Sequence, residues 1–196
     1  MKPLLLISVL ILSLSSLAQS DSPFVSFDQY EKLVNAVKEH RSKRMVSLDE
    51  FNRMSQLENV VILDTRSDSM YHAVHIKGAV HLNFSDFTQA ALDALFGSRD
   101  VTILIYCNNN FIHQLQPKDE LNLAELMAYV PTKMSYPQDE VLNSTPITLA
   151  LNIPTYINLF GYGYQNVYEL KELVDVNDSR IQFEGAAVDR ILGTFP

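Results

Sequence analysis

The chain has 196 residues, 47% of them hydrophobic, with one cysteine and a formal charge of −8. That length suits a single domain of ordinary size, and the acidity speaks against nucleic acid or an anionic lipid surface as partner, since both want a basic face. One cysteine, Cys107, excludes an internal disulfide, a paired-thiol redox centre and a cysteine-rich metal site. His72 and His75 stand close together with Asp68 nearby, too thin a set to expect a metal, and no other cofactor is expected either.

At the N-terminus, Lys2 is followed by an apolar run from Leu4 to Leu14, and Ser16 and Ala18 hold the small-residue positions before Gln19. This reads as a secretory signal over residues 1–18, too short and too serine-rich at its end to be retained as a span. The expected location is the periplasm, with full secretion as the other outcome of the same signal, and no membrane insertion after cleavage. Removing Lys2 takes the charge from −8 to −9.

Ser26 and Gln29 form a capping box, with Val25 and Tyr30 as its staple, so a helix is predicted from there to about His40. Ser47 and Glu50 repeat the device, with Val46 and Phe51 as staple and a helix to about Leu57. Val60 to Leu63 is a β-branched run without alternation, the pattern of a strand buried on both faces. Ala79 to Leu82 reads as a second strand and Phe87 to Phe96 as a helix. Val101 to Tyr106 is the strongest strand and delivers Cys107 at its carboxyl end. Leu121 to Tyr129 suggests a short helix closed by Pro131. Asn152 is placed as the cap of a helix from Ile153 to Phe160, with Pro154 in its first turn. Asn166 to Leu170 makes the last sheet strand, and the tail through Phe183 and Ile191 is expected to lie on the domain.

This order predicts an α/β fold, a three-layer open and mainly parallel sheet with helices on both faces. Sites in such sheets lie outside the carboxyl ends of the strands, where Asp64, Arg66 and Cys107 all fall.

Asp64-Thr65-Arg66, Tyr71 and the segment from His75 to Leu82 resemble the first signature of the rhodanese family, an Asp-x-Arg followed by an aromatic and Gly-His-Ile-x-Gly-Ala. Val74 stands where the first glycine is usual, and Met70 where an acid is common. Gly163-Tyr164-Gln165-Asn166-Val167 is similar to the family's Gly-Tyr-x-x-Val entry to the last strand, and Tyr106-Cys107 falls on the strand that carries its catalytic cysteine. The resemblance covers roughly residues 46 to 171. It divides the chain into a signal (1–18), a helical extension (19–45), a rhodanese-like domain (46–175) with an insertion at about 110–150, and a C-terminal extension (176–196).

The resemblance implies a sulfurtransferase that carries sulfur as a Cys107 persulfide, with Arg66 and Asp64 orienting the loop. Asn108, Asn109, Asn110 and Phe111 would form the anion cradle. The loop departs from the family pattern, having neither its glycine nor its arginine, and the insertion separates Cys107 from the helix expected to begin near Asn152. A sulfur carrier needs a thiolate, and convergent N–H donors, a helix N-terminus or a cation lower the thiol pKa enough for alkylation well below about pH 8. Asparagines tolerate left-handed angles, so the triplet can curl into an anion-binding nest. Lys133 can supply the missing charge if the insertion folds back. Partners implied are a small sulfur-containing molecule or a protein thiol acceptor. The competing reading is a non-catalytic binding module whose insertion recognises a protein partner. A phosphatase is disfavoured, because no arginine lies between Cys107 and Gly163 to clamp a phosphate.

Overall fold

In the computed structural model, residues 26–112, 134–135, 147–148 and 150–188 are described. The signal, the helix expected at Leu121–Tyr129, Lys133 and Ile191 lie outside these residues.

The first helix, α1 (Phe27–Ser42), starts where Ser26 Oγ accepts the Gln29 N–H at 3.3 Å. Strand β1 (Met45–Val46) and helix α2 (Leu48–Ser55) follow, with Ser47 Oγ accepting the Glu50 N–H at 3.3 Å. Glu50 does not close the capping box; both of its carboxylate oxygens accept from Arg53, one turn on, at 2.6 and 2.7 Å. Strand β2 (Val60–Asp64) leads to the short helix α3 (Asp68–Ala73), then to β3 (His75–Ile76) and β4 (Val80–His81). Helix α4 (Gln89–Phe96) begins two residues later than expected, because Thr88 Oγ1 caps the Ala91 N–H at 3.1 Å.

Strand β5 (Thr102–Tyr106) ends in a 3-10 turn at Asn108–Asn110 and the two-residue β6 (Phe111–Ile112). Between β6 and the next helix, β7 (Met134–Ser135) pairs antiparallel with β8 (Ile147–Thr148). Helix α5 (Asn152–Gly161) and strands β9 (Val167–Leu170), β10 (Val174–Asp175) and β11 (Phe183–Glu184) complete the described chain.

The main sheet has five strands in the order β1-β9-β5-β2-β4, every neighbouring pair parallel. Its three layers follow from the period-two pleat of β5. Ile103 and Ile105 join Val37 of α1, Leu92 of α4 and Tyr156 and Leu159 of α5 in one core. Leu104 and Tyr106 join Leu48, Phe51 and Met54 of α2 in the other. The α/β sandwich predicted from the run of strands and helices is the observed fold.

The described part of the tail, to Val188, is held by β11 pairing antiparallel with β3. Ala186 and Ala187 donate to the His72 and Ala73 carbonyls at the end of α3. Gly185 permits this approach: its φ is +133°, and a Cβ there would lie 2.5 Å from Ala73 O.

Candidate functional site

Strands β2 and β5 end in register, Asp64 opposite Tyr106, so the Asp64–Arg66 turn and Cys107 leave the sheet side by side. Asp64 is fully buried. Its carboxylate accepts from the Arg66 side chain (2.6 Å to Nη2, 3.0 Å to Nε), from the Arg66 backbone N–H at 2.9 Å and from Tyr106 Oη at 2.6 Å. Burial opposes the charge on Arg66, but Asp64 outweighs it and holds the guanidinium pKa above its ordinary value. Burial, followed by the Asp64 charge, pushes the Tyr106 phenol well up, so it remains a donor to Asp64, and its oxygen in turn accepts the Ile76 N–H at 3.1 Å.

Arg66 has two further contacts, donating to Val74 O at 2.6 Å and to Asn108 Oδ1 at 2.8 Å. The pair therefore ties the asparagine turn to the end of β2. Beside it, His75 stacks on Tyr71 with centroids 3.9 Å apart and has Nε2 3.2 Å from Glu184 Oε1, while Tyr71 stacks on His81 from its other neighbour at 4.5 Å.

The three asparagines divide their work. Asn108 meets Arg66. Asn110 is buried and turns back on the cysteine: its Oδ1 accepts the Cys107 N–H at 2.9 Å, and its Nδ2 donates to Leu170 O at 2.7 Å and Glu172 O at 3.3 Å. Asn109 presents its backbone N–H to the Cys107 sulfur.

The left-handed nest expected of this triplet does not form. Among the described residues the one non-glycine with positive φ is Asn59. A 3-10 turn closed by Asn110 N–H to Cys107 O, at 3.0 Å, takes its place. The Phe111 side chain also falls outside the expected cradle. It is an apolar ring at the start of a strand, buried edge-on against Tyr106 and Phe183, with centroids 5.7 and 5.2 Å away.

Further along the chain, α5 returns its N-terminus to the same sulfur, with the backbone N–H groups of Leu151 and Asn152 acting on it. Asn152 is the first helical residue rather than the cap, and its Nδ2 donates to Asn110 Oδ1 at 3.1 Å. The helix is seated from below by a 2.9 Å hydrogen bond between Thr65 Oγ1 and Thr155 Oγ1.

Cys107 is 2% exposed. Burial raises its thiol pKa, the amides of Asn109, Asn152 and Leu151 pull it back, and the Glu169 carboxylate adds to the rise; the balance is upward. The lowered thiol expected of a ready nucleophile is therefore corrected: desolvation exceeds the three amides. Glu169 is itself buried and held by Arg41, with N–O distances of 2.5 and 2.6 Å. An open cleft of about 500 Å³ lies on the α2 side, bordered by Gln56, Ile62, Ile76, Lys77 and Gln182, and includes none of the groups around the sulfur.

Tyr106, Leu151, Asn152 and Glu169 belong to this neighbourhood although the sequence reading did not assign them to it. The one signal available was the helix start expected near Asn152, which Leu151 directly precedes.

Residues 47–132 match the sequence model of the rhodanese-like domain. Over that stretch the chain is rhodanese-like. Among solved structures, the BH2092 protein of Bacillus halodurans matches with 14% identity and a TM-score of 0.41, over 79% of this chain and 87% of that one. No curated protein matches. The family match takes in β2, β5 and Cys107, while α5 and β9 lie beyond it. The cysteine turn and the helix that faces it are thus far apart in the chain and brought together in space.

Proposed function

We propose that the protein is a sulfur carrier of the rhodanese type, holding sulfane sulfur as a Cys107 persulfide in the cell envelope. The observation that carries this reading is the convergence of backbone N–H groups from two elements on one sulfur atom: Asn109 from the cysteine turn, Leu151 and Asn152 from the start of α5. Such donors stabilise negative charge on sulfur, which a persulfide must bear while it awaits an acceptor. Arg66 and Asp64 act through Asn108 as positioning residues. The signal-like N-terminus supports a periplasmic setting, and a small sulfur compound or a protein thiol is the partner class that fits the chemistry.

The test is intact-mass measurement after incubation with a sulfane donor, thiosulfate or a hydropersulfide, alongside the Cys107→Ser variant. Gain of one sulfur atom by the native chain and none by the variant is expected; no gain with either donor overturns the reading.

A second reading, a non-catalytic binding module, is favoured by the burial of the thiol and its upward-shifted pKa. It expects Cys107→Ser to leave partner binding unchanged, and a folded variant that has lost binding would count against it.

A further inference from the structure

His75 and His81 each have an oxygen at both ring nitrogens. His75 Nδ1 lies 2.7 Å from Tyr71 O and its Nε2 3.2 Å from Glu184 Oε1. His81 Nδ1 lies 3.0 Å from Asp64 O and its Nε2 2.9 Å from Asp68 Oδ1. A backbone carbonyl or an ionised carboxylate can only accept, and a neutral imidazole has one N–H to give. All four bonds are made together only when both rings are imidazolium. Tyr71 favours that state. Its ring stacks on His75 at 3.9 Å and 20° and on His81 at 4.5 Å and 13°, so each face of the phenol carries one imidazole, and such a face attracts a cation. The other charged groups around the stack are few. From β11 there is Glu184, on which Lys77 also acts, and from α3 Asp68, on which His72 acts. From β2 there is Asp64, whose charge is already matched by Arg66.

We propose that the C-terminal strap from Phe183 to Val188 is a proton-dependent closure, shut while His75 bridges Tyr71 O and Glu184 and loosened when that ring loses a proton. With one N–H left, the ring keeps it for the nearer oxygen, Tyr71 O, and the Nε2 lone pair then faces the Glu184 carboxylate. A proton held by the shut strap and not by the open one makes closure strongest at low pH. Closure weakens as pH rises through the span in which histidine changes charge, about pH 5 to 8. His81 acts in the same sense on α3, whose His72 and Ala73 carbonyls receive the Ala186 and Ala187 N–H groups of the strap. Opening parts Phe183 from Phe111, which packs on Tyr106, and Ala187 from Val74, whose carbonyl Arg66 holds. The strap therefore governs an apolar face directly behind the Arg66 tie. None of this depends on the sulfur-carrier reading.

The test is hydrogen exchange at the Ala186 and Ala187 amides, expressed as protection factors at steps from about pH 5 to about pH 8, with the amides of β5 as the reference for global opening. Protection of the two alanines is expected to fall at least about tenfold across that span, the loss of one hydrogen bond to a charged group, while β5 stays protected. Glu184→Gln can still accept the Gly78 N–H and offers the ring an amide in place of a carboxylate, so it should lose most of the fall. Adding Asp68→Asn removes the remainder. The Glu184 side chain is 46% exposed, so the variant keeps its fold, and melting checks this. A flat native profile, or an unchanged fall in a folded Glu184→Gln, overturns the closure. Equal loss of protection in β5 also overturns it, because the chain is then opening as a whole.

Discussion

Arg66 joins three parts of the chain through one guanidinium: Asp64 on its own strand end, Val74 O after α3, and Asn108 in the cysteine turn. Because Asp64 is wholly buried, removing the cation strands a carboxylate in the core. Arg66→Met is expected to cost about 3–5 kcal/mol, a fall in melting temperature of roughly 10 °C for a chain of this size, read by thermal unfolding. Cys107 gives a second prediction at this scale. With burial holding its thiol up, native alkylation by iodoacetamide should be slow and rise only above the ordinary thiol range, and denaturant should speed it sharply. A thiol that reacts fully at neutral pH in the native chain would contradict the burial seen here. The Asp-x-Arg and the lone cysteine were both legible in the sequence. The division of labour within the asparagine triplet was not, since three identical residues differ only in what stands opposite them: Arg66, the sulfur, and the carbonyls of Leu170 and Glu172.

At the scale of elements, Asn110 acts as a clasp joining the cysteine turn, the exit of β9 and the start of α5. Truncation to alanine leaves the Cys107 N–H and two carbonyls unmade, and is expected to destabilise by about 3 kcal/mol, measured by urea unfolding. Asn110→Asp should also destabilise, because a carboxylate cannot donate to the Leu170 and Glu172 carbonyls; a neutral result for both would show that the clasp is dispensable. The strands β2, β5 and β9 could be read from their apolar runs, and α1 and α2 from their serine caps, whereas the short α3 was not foreseen. The two-residue strands β1, β3, β6 and β10 could not, because so short a segment has no period and becomes a strand only through its partner. The same reasoning explains Asn152: a residue type suited to capping was assigned as the cap, while tertiary contact with Asn110 gave it another task.

Taken as a whole, the molecule is acidic, and several surface carboxylates are held in their charged form by specific neighbours. Asp178 is lowered to about 2, chiefly by hydrogen bonds from the Arg180 side chain, and Arg180 also reaches Asp49 of α2. Glu184 is lowered first by the Gly78 N–H and then by His75, and Asp68 first by His81. A depressed folded pKa contributes stability that is present above the unfolded carboxylate value and is lost as pH falls through the folded one. Stability should therefore decline on acidification from about pH 4 toward pH 2. Asp178→Asn should flatten that decline, as read by denaturant unfolding at stepped pH; an unchanged slope would remove Asp178 from the cause.

The last-formed strand of the main sheet in chain order, β9, lies between β1 and β5, and β1 has β9 as its sheet partner through Met45–Glu169 and Val46–Leu170. A ribosome must therefore add more than a hundred further residues after Val46 before that segment can find its neighbour. Until then the chain is an incomplete template with the edge of β5 exposed, open to capture by a chaperone or by a second nascent copy. The sulfur environment is consequently closed only once α5 and β9 have joined the sheet.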